Sequence, residues 1–532
     1  MARFLAGNTQ TYNSRMPFRP VSPMARKGGV APASPKPAHI ALQLQQGVVL
    51  HRQGKFQEAR THYETVLRHA PRNFDALHLL GVIAAQTQDN TRALELFDQA
   101  LKVNPGSADA WSNRGIALKN LNRFSQALES LEKALALKPD FADAHNNRGI
   151  VLQELRRFDA SLSSYDQALK LKPDFAEAVF NRGRVLSELR RFDEAINHYD
   201  RALALRPGYP DARFNKSIAL LREGFYEAAW SLHESRWDVE HAGFKKRECA
   251  APLWLGREPL DGKSILLRTE QGMGDNIQFC RYAKLLHEQG ARVLLETPKP
   301  LMSLLAGLAG VDELVEIGTA PAAIDYHCPL LSLPLALNTT LATIPAPCAY
   351  IGADPSKSKA WKARLGPATK PRVGLVWSGN TLHKNDANRS LSLQLLLSHL
   401  PSECEYFSLQ KEVRPFDRQA LHEGNLGHYG DELHDFSDTA ALCAQLDVVL
   451  SVDTSVAHLA GAMGQPTWLL LPFLPDWRWL LDRDDSPWYP TVQLFRQSES
   501  RRWEPVLARV ASNLQRLAGQ WSSQPARGGP EG

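Results

Sequence analysis

The stretch FADAHNNRGIVLQELRRFDASLSSYDQALKLKPD, from Phe141 to Asp174, decides the fold of the first half of the chain. Ala144, Gly149 and Leu152 fall on one side of a first helix, at spacings of three to five. Phe158, Leu162, Tyr165, Ala168 and Leu169 do the same in a second. The small Gly149 lets the two helices approach closely. Pro173 follows the second helix, where proline cannot continue it.

Working outward, the same pattern recurs every 34 residues. Glycine returns at Gly47, Gly81, Gly115, Gly149 and Gly183, with Ser217 in the sixth place. Proline returns at Pro71, Pro105, Pro139, Pro173 and Pro207, with His241 in the sixth place. A small residue stands between them at Ala59, Ala93, Ala127, Ser161, Ala195 and Ala229. A two-helix unit of this length cannot close on itself, so it stacks into an α-solenoid whose concave face is suited to holding another molecule. The pattern resembles the tetratricopeptide repeat, with a degenerate sixth copy acting as a cap. Asn113, Asn147, Asn181 and Asn215 stand at one position in four successive first helices, each followed by Arg or Lys. This ladder has two readings: a groove for an extended, acidic peptide, or else a plain solvated face or amides that bond neighbouring helices.

Beyond about residue 236 the period changes. Short apolar runs at 265–268, 293–296, 373–377, 406–409, 448–452, 468–471 and 492–495 alternate with helical stretches. Buried strands alternating with helices predict parallel sheets in an α/β layer, divided in two by a Pro-rich interval at 334–371. The expected boundaries are a disordered basic tail at 1–38, the solenoid at 39–241 and a connector at 242–262. Two Rossmann-like domains follow at 263–350 and 371–516, with a second disordered tail at 517–532.

Three loops after strands carry the polar residues. The first places Gly272, Met273, Gly274 and Asp275 between a strand and a helix, where backbone amides can meet a ligand. It is neither a GxGxxG fingerprint nor a P-loop. A carboxylate at Asp275 can cap the helix or act as a base. The second, Asp453-Thr454-Ser455 with His458 one turn on, begins a helix whose free amides and dipole suit a diphosphate. Asp453 could instead cap that helix, and His458 could simply be buried. The third holds Ser378, Asn380, Lys384 and Arg389, whose two cations could neutralise phosphate oxygens. Asp482-Arg483-Asp484 reads as a DxD but has no supporting context.

The GMGD turn and the D-[ST]-x-x-x-H-L-A-x-A-x-G-x-P segment resemble the ADP-heptose heptosyltransferases of glycosyltransferase family 9. The whole arrangement resembles bacterial proteins that fuse tetratricopeptide repeats to such a domain. The resemblance implies a GT-B fold over residues 260–515, with the acceptor on the first domain and the nucleotide-sugar donor on the second. It implies metal-independent, inverting transfer with no cofactor, Asp275 as base and the Asp453 segment as donor site. Ser455 departs from the family, where glycine is usual, and the first α/β domain is short. The implied acceptor is a protein or peptide recruited by the repeats. The alternatives are a repeat scaffold with a non-catalytic transferase domain and a sugar-nucleotide epimerase.

Composition narrows the setting. Residues 1–36 hold six cations and no acid, which accounts for the +5 net charge and leaves the body near neutral, so nucleic acid is not an expected partner. Six widely spaced cysteines form no CxxC pair, which predicts free thiols, no metal site and a cytoplasmic setting. No apolar run is long enough to span a bilayer, and no secretory signal is expected.

Overall fold

The computed structural model describes residues 36–240, 246–319, 323–383 and 385–523. The described residues divide into two compact units, one up to residue 212 and the other from residue 213 onward.

In the first unit, ten helices run as pairs. They are Lys36–Arg52 with Phe56–His69, Phe74–Gln86 with Asn90–Val103, Ala108–Asn120 with Phe124–Leu137, Ala142–Glu154 with Phe158–Leu171, and Ala176–Glu188 with Phe192–Leu205. Side-chain oxygens of Asn73, Asp89 and Ser107 accept the N–H three residues on and so start three of these helices. The first helix of each pair ends on a left-handed residue: Gly54, Gln88, Asn122, Arg156 and Arg190. The repeat glycine lies under a large side chain sixteen residues later. A Cβ on Gly47, Gly81, Gly115, Gly149 or Gly183 would stand within 3 Å of Tyr63, Phe97, Leu131, Tyr165 or Tyr199 respectively. Those five side chains are fully buried, as are Ala59, Ala93, Ala127, Ser161 and Ala195. The one hydroxyl in that small-residue row is satisfied, because Ser161 Oγ donates to Gly149 O at 2.6 Å.

The sixth pair, Pro210–Arg222 with Tyr226–His233, packs with the second unit from Arg213 onward. The cause is visible in its contacts. Trp230 Nε1 donates to Thr339 O at 2.8 Å, and Trp488 Nε1 donates to Tyr226 OH at 3.1 Å. Fully buried Arg236 meets Glu270 at 2.8 Å and donates to Ser332 Oγ at 2.7 Å. His241 lies outside the described residues.

Two parallel sheets follow. The first has order β3-β2-β1-β4, with β1 Ser264–Arg268, β2 Arg292–Thr297, β3 Glu313–Glu316 and β4 Tyr326–Pro329. The second has order β10-β9-β8-β5-β6-β7, with β5 Arg372–Val376, β6 Glu405–Ser408, β7 Gly427–His428, β8 Val448–Val452, β9 Thr467–Leu471 and β10 Val492–Arg496. The seven apolar runs are all strands. The unforeseen β3, β4 and β7 are short edge strands, and β3 (ELVE) is half charged. In the second sheet Val373, Leu375, Leu450, Val452 and Phe495 pack on Val506, Leu507, Val510 and Leu514 of helix Glu504–Ser522. That helix corrects the C-terminal tail expected from 517: buried Ala518 continues the four-residue spacing through Ser522. Likewise Lys36 already begins a helix, inside the tail expected at 1–38. The remainder of both tails lies outside the described residues. No helix among the described residues is long and apolar enough to cross a membrane.

Candidate functional site

In the second unit, the loops at the C-terminal ends of β1 and β8 bring two helix starts together. Helix Met273–Phe279 begins at Gly272, whose N–H is accepted by Asp275 Oδ2 at 2.9 Å. Asp275 therefore sits at the third helical position and reaches back, rather than standing at the cap itself. Helix Ser455–Ala462 begins after Thr454, which is extended and whose carbonyl accepts the N–H groups of Ala457 and His458. Thr454 Oγ1 lies 3.2 Å from Ser451 Oγ. The two helices touch where Gly274 meets the His458 ring.

Arg478 joins these elements. Its Nη2 donates to Asp275 Oδ1, its Nε to Gln278 Oε1 at 2.7 Å and its Nη1 to Asp476 Oδ1 at 2.8 Å. Burial raises the carboxyl of Asp275 above its ordinary range, and the Arg478 charge opposes that rise. Asp453 is pushed up to about 6 by burial and then by Asp476. Its backbone carbonyl accepts Arg389 Nη1 at 2.6 Å, and its Oδ1 lies 3.9 Å from His458 Nε2. Burial lowers His458 to about 3, so its ring is neutral and lies 2.9 Å from Tyr489 OH through Nδ1. Trp479 stacks on that ring at 5.3 Å and also lies 6.0 Å from Tyr489.

The third loop is brought in only in part. Arg389 reaches the cluster, and Gly379 makes room for it, since a Cβ there would lie 2.4 Å from Arg389 Nη2. Ser378 is buried, its N–H is directed to Gln410 Oε1 at 3.4 Å, and its Oγ has no partner among the described residues. Asn380 is exposed and turned into its own loop, accepting Leu382 N–H at 2.9 Å. Lys384 lies outside the described residues. Asp482 is left-handed, and Arg483 pairs with Asp485.

Arg478, Asp476 and Tyr489 were absent from the sequence reading. Burial, and then the charge of Arg389, lower His383 on the third loop. One signal was available for Arg478: an arginine inside the apolar run Trp477 to Leu481 needs a buried partner.

In the first unit the asparagine ladder takes the second of its two readings. Asn113, Asn147 and Asn181 are buried. Asn113 Nδ2 donates to His78 Nε2 at 2.9 Å, and Asn181 Nδ2 donates to Asn146 Oδ1 at 3.1 Å. Asn113 and Asn181 thus bond consecutive first helices, whereas Asn147, equally buried, has an Oδ1 with no partner among the described residues. The neighbouring arginines brace the second helices: Arg114 meets Asp98 and Ser130, each at 2.6 Å, and Arg182 meets Asp166 and His198. Asn215 is half-buried in the second unit.

Models of the tetratricopeptide repeat match residues 80–148, and again 44–108, 147–210 and 180–237. Protein FlbA of Caulobacter vibrioides is 28% identical over 327 residues, 56% of this chain and 54% of that protein. The chain thus spans about half the length of that curated relative, and the alignment is long enough to continue past the repeats. Among solved structures, the thermophilic TPR protein TTC0263 of Thermus thermophilus is 27% identical, covering 34% of this chain and 99% of that one at a TM-score of 0.30. MamA of Desulfovibrio magneticus is 22% identical, covering 32% and 96% at a TM-score of 0.30. Residues 44–237 are a run of tetratricopeptide repeats, joined in one chain to an α/β region of two parallel sheets.

Proposed function

We propose that the chain is a glycosyltransferase of GT-B type, similar to family 9, that moves a sugar from a nucleotide-sugar donor to an acceptor hydroxyl. The single observation that carries this reading is the meeting of two loop–helix starts, each at the C-terminal edge of its own parallel sheet, with Asp275 on one and Asp453 on the other. Such edges are where α/β folds bind ligands. The donor diphosphate would lie against Thr454 and Ser455, with Arg389 beside it. Asp275 would take the proton of the acceptor hydroxyl as its oxygen attacks the anomeric carbon. The bond from that carbon to the phosphate oxygen breaks, and the nucleoside diphosphate leaves with the electron pair. Burial raises the carboxyl of Asp275 above its ordinary range, which favours its taking up a proton. No cofactor is required by this scheme. The repeats would recruit a protein or peptide acceptor, in keeping with the binding role of such arrays.

Thermal unfolding against ADP, UDP, GDP, CMP and their sugar conjugates tests the reading. A ligand at 100 times its Kd should stabilise the unit it binds by about 2.7 kcal/mol. A shift with one nucleotide, lost on Asp453→Ala, supports a donor site. Silence from all of them favours the second reading, a protein-binding scaffold, to which the repeats themselves lend support.

A further inference from the structure

Arg478 is held by three acceptors that differ in kind. Asp476 is its neighbour in the chain and also accepts the Arg478 backbone N–H at 3.1 Å, so this contact is local. Gln278 and Asp275 come from the other sheet's first helix, about 200 residues away in sequence. Gln278 is neutral. Asp275 is the only one of the three that is both charged and distant, and it uses its other oxygen to cap its own helix.

Arg478 keeps a carboxylate partner in Asp476 whether or not it holds Asp275. Arg389 stands on the Asp453 carbonyl, a neutral acceptor, and its Nε has no hydrogen-bond partner among the described residues, with Asp386 3.8 Å away. Buried Ser378 Oγ, on the loop that Arg389 packs against, is also without one. Two guanidiniums and an unsatisfied hydroxyl thus border the start of helix Ser455–Ala462. A group with several anionic oxygens would satisfy all of them at once.

We infer that Arg478 is a second diphosphate-binding residue and that Asp275 is its stand-in counter-ion. Arrival of the diphosphate takes Nη2 away from Asp275 Oδ1 and leaves that oxygen free to accept a proton. This rests on the proposed donor site. It adds to that site a coupling between the two α/β halves: the base is released only when the donor's phosphates are present. A carboxylate whose lone pairs are engaged by a guanidinium is a poor base, so such release would prevent proton transfer without a donor.

The coupling has a signature that a merely structural ion pair lacks. If Asp275 competes with phosphate for Arg478, then removing the competitor strengthens phosphate binding. Titration calorimetry on the full chain with ADP, UDP, GDP and inorganic pyrophosphate would compare wild type, Asp275→Asn, Arg478→Gln and the double variant. The amide of Asn can still accept the Gly272 N–H, which keeps the helix start. The expected result is about tenfold tighter diphosphate binding for Asp275→Asn and about tenfold weaker for Arg478→Gln, with the Asn substitution having no effect once Arg478 is gone. Unchanged or weaker binding by Asp275→Asn, with the wild type binding normally, overturns the exchange and leaves the donor site standing. No binding of any diphosphate to the wild type overturns both. Matching thermal midpoints of the single variants without ligand would exclude misfolding as the source of the difference.

Discussion

The α-carbon of Gly274 lies against the ring of His458, so that a methyl group there would stand 2.7 Å from Cδ2. This contact fixes how closely the helix that carries Asp275 approaches the helix that follows Asp453. His458 cannot retreat, because Trp479 stacks on it at 5.3 Å and Tyr489 OH holds Nδ1 at 2.9 Å. Gly274→Ala should therefore force the helices apart. The expected cost is about 1–3 kcal/mol, as for overpacking elsewhere. Urea unfolding followed by tryptophan fluorescence checks it, and a midpoint equal to wild type would show that the contact is easily relieved. Nucleotide binding should weaken in the same variant.

Acid should loosen the repeats through His78. Its Nε2 accepts from Asn113, and burial holds it down at about 4, against the ordinary 6.5, despite the opposing pull of Asp109. A histidine with a depressed folded value contributes fully above pH 6.5. Its contribution is lost as the pH falls from there towards 4, because the unfolded chain takes up the proton first. The loss is on the order of 3 kcal/mol. His78→Gln should flatten the fall in stability of the first unit between pH 7 and pH 4.5, read by hydrogen exchange in residues 74–120. His327, also lowered to about 4, and His458 give the second unit the same sign.

The repeat fold was legible because its determinants are local and periodic. Gly149 and Tyr165, sixteen residues apart, are one turn and one helix from each other, and 34-residue recurrence repeats the message. The strand–loop–helix around Val452 to Ala462 was legible for a similar reason: an apolar run, a polar triplet and Gly464, whose φ of +72° stops the helix. What the sequence could not reveal is pairing across long separations. Nothing near Asp275 signals Arg478, 203 residues later. The asparagine ladder was ambiguous because position in a helix does not decide whether an amide faces a groove or the next helix. Burial decides it.

The left-handed residues between paired helices offer a stabilising change. Gln88 adopts φ of +66° and is exposed, while Gly54 occupies the equivalent turn one repeat earlier. A left-handed non-glycine residue costs about 1–2 kcal/mol, partly offset by the greater freedom that glycine loses on folding. Gln88→Gly should raise the stability of the first unit by about 0.5 kcal/mol, and Gln88→Val should lower it. Thermal unfolding of the pair of variants measures the sign directly, and a gain from valine would refute the backbone argument.

The most consequential buried charge outside the candidate cluster is Arg281. It is 4% exposed and its guanidinium donates to Gln278 O, Pro345 O, Trp488 O and Tyr350 OH. No carboxylate pairs with it among the described residues; the faces of Tyr350 and Tyr489, each 4.6 Å away, carry part of the compensation. Those partners come from the first sheet's helix, from the Pro-rich interval and from the loop before β10, so one side chain ties three segments together. Arg281→Met would fill the space but leave three carbonyls without donors, at about 1–3 kcal/mol each for those that water cannot reach. Arg281→Lys places a single ammonium where a planar fork is needed and should rescue little. Both variants should unfold the second unit at lower urea, with methionine costing on the order of 3 kcal/mol. Because Tyr489 also holds His458, the lysine variant should lose nucleotide-induced stabilisation at temperatures where it is still folded. Full retention of that stabilisation would separate the Arg281 cage from the candidate site.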